Sequence, residues 1–214
     1  MESVPYKELK DGEFFIRTFK YNVPDEELKW HFDDENRIIV PISGTGWKIQ
    51  IDECLPEELV IGNEYFIPVD VYHRIIKGND DLEIKLYKLD SNKKEYPKHV
   101  RKYTDNLNFS DYLMYHIQNN IKLDNNVFRY GSDAWCDLIQ EAKELYEKEI
   151  IELDTDELEL IENNSGKIIY KDGQKYILNT PFINSDKNSK FQYFVYICDE
   201  NNEIKKIDFN AKDS

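Results

Sequence analysis

The residues with the clearest capacity for chemistry are two histidines and one aspartate in the first half of the chain. His31 and Asp33 stand two residues apart in WHFDDEN, so in a β-strand both side chains project from the same face. His73 begins a later predicted strand in GNEYFIPVDVYHRIIKG. Two neutral imidazoles and one carboxylate form the facial ligand set of non-haem Fe(II). The sequence therefore predicts a metal site at His31, Asp33 and His73, with Fe or Zn as the candidate ion.

The elements that must position these residues are predicted to be short β-strands. Residues 13–89 contain apolar, β-branched and aromatic runs separated by turn sequences rich in Gly, Pro, Asn and Asp. Many short strands without a helical period predict a single antiparallel barrel or sandwich. The predicted strands are 13–21, 37–42, 47–51, 64–67, 73–76 and 82–86.

The second half of the chain has a different pattern. Ser110 can cap a short helix, and Ser132 precedes a longer one at 133–149 whose apolar residues fall at i, i+3 and i+4. A further helix is predicted after Asp154, and two β-hairpins follow it. The fold class expected is mainly β plus α+β. The domains predicted are 1–90, a β jelly roll; 91–126, a linker with a short helix; and 127–214, a small α+β domain of helices followed by hairpins.

Charge and composition exclude several classes of function. The formal net charge of −15 repels phosphate, so neither nucleic acid nor an anionic membrane surface is an expected partner. The first residues show no signal peptide, and no apolar run approaches the length of a membrane span. The three cysteines are far apart and odd in number, which favours a reducing compartment. We expect His99 in a linker, His116 on a helix surface and Cys136 buried as a packing residue.

Residues around the predicted site resemble the cupin family, a small double-stranded β-helix. Gly62, Pro68 and His73 match its second motif, while Asp70 stands where a glycine is usual and Lys77 where an asparagine is expected. The first motif matches less well. His31 fits it, but Asp33 replaces the second histidine and Arg37 stands near the usual glutamate. The resemblance implies a cupin-like jelly roll with an incomplete ligand set.

A closer resemblance is to cupin-like proteins of tailed bacteriophages, over residues 27–86. It rests on WHFDDENR, GWKIQ, LP, IP and YHRIIKG. In the second half, NVFRYGSDAWCDLIQEAKELY and FVYICDENNEIKKIDF are also similar to phage sequences. This resemblance implies a non-enzymatic structural or assembly protein of a virion, such as a decoration, neck or fibre-attachment component.

That interpretation carries further expectations. It assigns no catalytic residue and requires no cofactor, and it places the protein in the virion or the host cytoplasm. The partners expected are copies of the same chain or other virion proteins. Because an open jelly roll must cover its strand edges, we expect a homo-oligomer.

Three alternatives use the same residues differently. The first is a metal-dependent cupin enzyme, an Fe(II)-type oxygenase or an isomerase, with its ion at the predicted site. The second is metal-free acid–base chemistry like that of sugar-nucleotide epimerases of this fold, in which His31 pairs with Asp33 beside Arg37 or Arg74. The third is a polar rim in which Asp33, Asp34 and Glu35 pair with one of these arginines without catalysis. In all three the aromatic residues expected to flank the cavity are Trp30, Trp47, Tyr65 and Tyr72.

Overall fold

A computed structural model of the chain describes residues 4–89, 109–162, 168–171, 174–178, 180–184, 190–198 and 203–210. The chain divides into two compact units, Met1–Val100 and Arg101–Ser214. This division falls within the stretch 90–108, which is outside the described residues, so the predicted limits of the linker stay predictions. The described part is mainly β-sheet, and its α-helices all lie in the second unit.

The first unit is built from two antiparallel sheets. Within the described residues, one sheet has five strands in the order β1-β2-β8-β3-β6, and the other has three in the order β5-β4-β7. Residues 13–89 were predicted to form one antiparallel barrel or sandwich, and this arrangement agrees with that prediction. The strands are β1 Tyr6–Asp11, β2 Phe14–Phe19, β3 Asn36–Ser43, β4 Lys48–Ile51, β5 Glu57–Glu58, β6 Tyr65–Ile67, β7 His73–Ile76 and β8 Leu82–Leu89.

Alternating side chains of both sheets form one hydrophobic core. Along β8, Leu82, Ile84 and Leu86 are buried while the residues between them are not, as expected for a strand with one face toward the interior. Trp47, immediately before β4, is fully buried, and its indole Nε1 donates to the carbonyl oxygen of Asp80 at 2.7 Å. The strand pattern seen in the sequence therefore reflects real burial on one face.

The hairpin of β1 and β2 was not predicted. β1 has the sequence YKELKD and is exposed along most of its length, so it has no apolar alternation to detect. Its partner is set by the turn, since Asp11 pairs with Phe14 and Gly12 lies between them at a φ of 61°. A two-residue loop with glycine at its first position, as in Gly12-Glu13, is a common hairpin connection, and this hairpin adds an outer strand to the larger sheet.

The second unit combines helices and small antiparallel sheets. Its helices are α1 Asp111–Gln118, α2 Asp133–Glu147 and α3 Thr155–Glu162, and none of the described helices has the length and apolar character to span a membrane. Both predicted caps form, because Ser110 accepts from the backbone N–H of Leu113 and Ser132 from that of Trp135. The strands are β9 Ile168–Lys171, β10 Gln174–Ile177, β11 Pro181–Ile183, β12 Tyr193–Cys198 and β13 Ile204–Phe209.

Two side chains of this unit test the sequence-based expectations directly. Cys136 is 4% exposed, which confirms its predicted burial. His116 is 1% exposed, so the prediction that it lies on a helix surface was wrong. Its Nδ1 lies 2.8 Å from the carbonyl oxygen of Tyr112, and its Nε2 accepts from the backbone N–H of Val127. These two bonds satisfy both ring nitrogens, so this histidine is a packing residue. His99 lies outside the described residues.

Candidate metal centre

His31 and His73 are held side by side by the backbone. They form an antiparallel bridge in which the N–H of His31 donates to the carbonyl of His73 at 3.1 Å and the N–H of His73 to that of His31 at 2.8 Å. Residues paired in this way project from the same face of a sheet. The centres of their imidazole rings are accordingly 4.4 Å apart. The two histidines converge as the sequence predicts.

Asp33 is positioned by a second backbone contact. Its carbonyl oxygen accepts from the N–H of Asp70 at 2.9 Å, which ties the chain after His31 to the loop before β7. Asp70 has a φ of 59°, a left-handed conformation that favours glycine and that aspartate tolerates better than most residues. This explains how an aspartate can stand at a position where the resembled motif usually has glycine.

The three side chains form a compact group of possible ligands. One ligand atom from each of His31, Asp33 and His73 lies within 4.8 Å of the others. Nε2 of His73 is 3.3 Å from Oδ2 of Asp33, which is close enough for an ion pair but lacks the alignment of a hydrogen bond. Oδ2 is buried and has no hydrogen-bond partner among the residues that the structure describes. A buried carboxylate oxygen without a donor is suited to a cation.

The backbone also selects the tautomer of both histidines. Nδ1 of His31 is 3.1 Å from the carbonyl oxygen of Lys29, and Nδ1 of His73 is 3.0 Å from that of Val71. A carbonyl only accepts, so each Nδ1 carries a hydrogen and each neutral ring has its lone pair on Nε2. Histidines that bind metals are commonly oriented in this way by a backbone carbonyl.

The electrostatics favour the protonation states that a metal requires. Burial, assisted by the nearby His73, lowers the pKa of His31. Burial alone would raise the pKa of Asp33, but contact with His73 and the positive charge of Arg37 together outweigh it, and the pKa is lowered. At neutral pH the site therefore presents a neutral His31 and an ionised Asp33, which are the forms that coordinate metal ions.

Arg37 holds the aspartate from the other side. Its Nη1 lies 2.7 Å from Oδ1 of Asp33, and both side chains are 10% exposed. Its Nη2 lies 3.2 Å from Oε1 of Glu35, which also pairs with Lys88 at 2.8 Å. Asp33 thus gives one oxygen to Arg37 and keeps the other for the histidines. Of the polar rim predicted around Arg37, the ion pairs with Asp33 and Glu35 are present.

The site opens into a cavity between the two sheets. Its inner part, here called the inner cavity, has a volume of about 50 Å³ and an apolar wall. A wider mouth of about 700 Å³ lies outside it. The apolar wall is formed by Phe19, Leu28, Ile39, Ile67, Ile75, Ile84 and Leu86. The side chains that line both parts are Tyr6, Arg17, Glu27, Lys29, His31, Asp33 and Arg37.

The predicted aromatic flank of the cavity was largely wrong. Trp30 lines the mouth, but Trp47 and Tyr65 are core residues. The hydroxyl of Tyr65 donates to the carbonyl of Glu58 instead of facing a ligand. Tyr72 packs against Phe32, with their ring centres 5.2 Å apart, and is 36% exposed. Alternation along a strand identifies an inward side chain, yet it cannot tell a cavity from the packed core.

The second candidate arginine also has another role. Arg74 donates from Nε and Nη2 to the amide oxygen of Gln50 at 3.0 and 2.9 Å, and its guanidinium lies 4.8 Å from the ring of Trp30. It follows His73 in β7, so its side chain projects from the opposite face of the strand. The second arginine that lines the cavity is Arg17, which the sequence analysis did not identify. The available signal was a cation on the same strand face as Phe15 and Phe19.

Comparisons with known proteins give likeness of fold at low similarity. No family model matches the chain, and no curated protein matches it significantly. A cupin domain from Bordetella pertussis is similar at 16% identity and a TM-score of 0.30, covering 42% of this chain and 98% of that one. The Fe(II) form of HppE in complex with substrate is similar at 13% identity and a TM-score of 0.31, covering 39% of this chain and 52% of that one.

A third structure is hydroxypropylphosphonic acid epoxidase from S. wedmorenis in complex with fosfomycin. It is similar at 15% identity and a TM-score of 0.30, covering 39% of this chain and 50% of that one. The solved structures that resemble this chain therefore include cupin proteins. At these identities and TM-scores the likeness gives no information on activity, so the function has to be argued from the site itself.

Proposed function

We propose that the protein is an enzyme that oxygenates or isomerises a small organic substrate. Its first unit would hold one divalent metal ion at the active site. The observation that carries this proposal is the group formed by His31, Asp33 and His73, whose ligand atoms lie within 4.8 Å of one another. The buried, partnerless Oδ2 of Asp33 and the fixed Nδ1–H tautomers support it. When bound, a metal with three protein ligands supplies Lewis acidity and open positions for substrate or dioxygen.

The residues around the ligands have defined tasks in this proposal. The carbonyls of Lys29 and Val71 hold the two imidazoles with Nε2 toward the cavity. Arg37 keeps Asp33 ionised and orients it through Oδ1. The apolar wall of the inner cavity excludes water, which strengthens electrostatic interactions at the reacting group. A substrate site next to a metal ion needs ligands in fixed orientations and an apolar lining that excludes water, and both features are part of this proposal.

Metal-free acid–base chemistry is the second candidate. The contact of 3.3 Å between Nε2 of His73 and Oδ2 of Asp33 favours it, because acid–base chemistry uses an imidazole that a neighbouring carboxylate orients. The virion role rests on the phage resemblance of the sequence alone. The incomplete ligand set that motivated it is a set of three converging side chains, which favours the enzymatic alternative.

Metal analysis of the purified full-length chain tests the proposal. After incubation with Fe(II), Co(II) or Zn(II) and removal of excess ion, we expect about one ion per chain. Asp33→Asn and His31→Ala should lower the affinity by about 100-fold or more, since each loses a ligand. Asp34→Asn is the matched control, because Asp34 is an exposed neighbour outside the group. A wild-type chain without stoichiometric metal would support acid–base chemistry instead.

We also propose that the chain forms a homo-oligomer, as its strand edges suggest. Exposed apolar side chains on the first unit include Phe32, Val60 and Ile61, which are 54%, 50% and 58% exposed. Light scattering at micromolar concentration should give a mass of at least two chains. A strictly monomeric mass would contradict this proposal without affecting the metal centre.

A further inference from the structure

Arg17 is an unusual residue for the interior of a β-sandwich. It lies in β2 on the same face as Phe15 and Phe19, and its side chain is only 10% exposed. Its strand neighbour in β8 is Ile84, which belongs to the core. A buried guanidinium must be compensated by charge or hydrogen bonds, because removing it from water is costly.

The partners of Arg17 leave one edge of its guanidinium unused. Nε lies 2.6 Å from Oε2 of Glu8, and the guanidinium carbon lies 4.1 Å from the ring centre of Tyr6. Across the described ranges these are its only side-chain partners, so Nη1 and Nη2 pair with no carboxylate there. Glu8 and Tyr6 hold the guanidinium in place from one edge and one flat face. The remaining edge, formed by Nη1 and Nη2, presents two N–H groups in fixed positions. They can donate to the two oxygens of one carboxylate.

This edge belongs to the same space as the proposed metal centre. Arg17 lines both the inner cavity and the mouth, together with His31 and Asp33. In Arg37, which lines the same space, the buried Nε also has no hydrogen-bond acceptor within the described part of the chain. Donors without an acceptor among the described residues therefore occur on two arginines that line the same space as the candidate ligands.

The charge of the mouth is distinct from that of the whole protein. Three cationic side chains, Arg17, Lys29 and Arg37, balance three acidic ones, Glu26, Glu27 and Asp33. The chain as a whole carries a formal charge of −15. A divalent ion at the site would leave the mouth positive by two charges, so it would attract anions within an otherwise acidic surface.

We propose that Arg17 binds the carboxylate of the substrate, and that this substrate is a small organic acid. The assignment rests on the proposed function, because it places the reacting part of the acid at the metal centre. The planar pair of donors on Arg17 takes the carboxylate. The inner cavity of about 50 Å³, with its apolar wall, admits a short carbon chain and no bulky group. Arg17 is thus a specificity-determining residue that does not ligate the metal.

The experiment uses the full-length chain loaded with Co(II), whose absorption reports ligand changes at the metal. Succinate is titrated by calorimetry and by cobalt absorption, and succinamide serves as the uncharged analogue. We expect succinate to bind and succinamide to bind at least 10-fold more weakly. Arg17→Gln should weaken succinate binding by about 10-fold to 100-fold while leaving cobalt affinity unchanged, since it removes one charge-assisted pair. Lys85→Gln, on the other face of β8, makes the same change in net charge and should have no effect.

The possible failures are distinguishable. If the wild-type chain binds no cobalt, both the metal centre and this substrate class are overturned. If cobalt binds but succinate binds Arg17→Gln as tightly as wild type, or succinamide binds as tightly as succinate, only the role of Arg17 is overturned. Tighter binding of inorganic phosphate than of succinate, with the same dependence on Arg17, would overturn the choice of a carboxylic acid. The comparison of acid and amide needs no variant, so it remains decisive even if Arg17→Gln does not fold.

Discussion

Replacing Asp33 by asparagine separates the structural role of this residue from its proposed role as a metal ligand. In the metal-free chain, Asp33 forms an ion pair of 2.7 Å with Arg37, and each side chain is 10% exposed. Asparagine has nearly the same shape and still offers an oxygen to Arg37, so the substitution removes the charge and little else. We expect the metal-free variant to be less stable than the wild-type chain.

The size of the effect follows from these contacts. A hydrogen bond to a charged group contributes about 1.5–3 kcal/mol, and the bond from Arg37 to a neutral amide still belongs to this class, so losing the carboxylate charge should cost up to about 1.5 kcal/mol. Arg37 keeps part of its compensation through Glu35 at 3.2 Å, which limits any further loss. Asp33→Ala leaves Arg37 without this partner, and we expect a loss of about 3 kcal/mol.

Urea denaturation in the presence of a chelator measures these differences, because the chelator removes any stabilisation by metal. Asp34→Asn should change the free energy of unfolding by less than about 0.5 kcal/mol, since that side chain is exposed. A double-mutant cycle of Asp33→Asn with Arg37→Met isolates the pair. If Asp33→Asn is as stable as the wild type, or more so, desolvation of the carboxylate exceeds its attraction to Arg37 and the reasoning is refuted.

The same ion pair predicts a dependence on pH. The pKa of Asp33 in the folded chain lies below its ordinary value of 3.8. Its stabilising contribution should therefore be complete above about pH 3.8 and be lost as the pH falls through the lowered pKa. The urea midpoint of Asp33→Asn should change less with pH in this acidic range than that of the wild type. Parallel pH profiles would contradict the lowered pKa.

Three other perturbations have expected outcomes. Burial lowers the pKa of His116 from 6.5, so its neutral form stabilises the fold above pH 6.5 and stability declines below it; His116→Gln should reduce that decline in urea midpoint. In Gly78→Ala the new Cβ would lie 2.3 Å from a ring carbon of Trp47, and we expect a loss of about 3 kcal/mol in urea unfolding. Glu141 accepts hydrogen bonds from the N–H and hydroxyl of the serine that caps α1, so Glu141→Gln should cost about 1–2 kcal/mol, whereas the exposed Glu144→Gln should cost almost nothing.

The placement of His31 and Asp33 on one face could be predicted because it depends on short-range geometry, whereas their convergence with His73 depends on a long-range bridge and was predicted from the types of ligand residue. Alternation places His31 and Asp33 on one face, and the strand signal around His73 is local. Arg17 was not predicted as a site residue: its alternation with Phe15 and Phe19 indicates an inward-facing cation, but the cavity that it lines depends on the pairing of β2 with β8 and on the partner strand β1. The sequence contains no signal for which distant strands are neighbours.

The strands that were missed and the burial that was predicted wrongly have the same origin, because both depend on contacts between distant parts of the chain. The strands with apolar alternation were predicted at close to their observed positions, but β1, β5 and β11 were missed because they are short or exposed. His116 was placed on a helix surface because no carboxylate lies at ligand spacing from it in the sequence, but its burial depends on contacts with Tyr112 and Phe128. Local chemistry thus predicted elements, while pairing and burial required the structure.

If the proposed metal centre is correct, the bridge between His31 and His73 has a consequence for the order of folding and metal binding. The two ligands are separated by β3 to β6, so they meet only after a long loop has closed and most of both sheets has formed. Closing such a loop costs entropy before any native contact is gained, and pairings of this kind form late in folding. A nascent or partly folded chain therefore offers His31 with Asp33 but no complete site. Metal loading would be a post-folding event, set by the ions available to the finished protein rather than by those present during its synthesis.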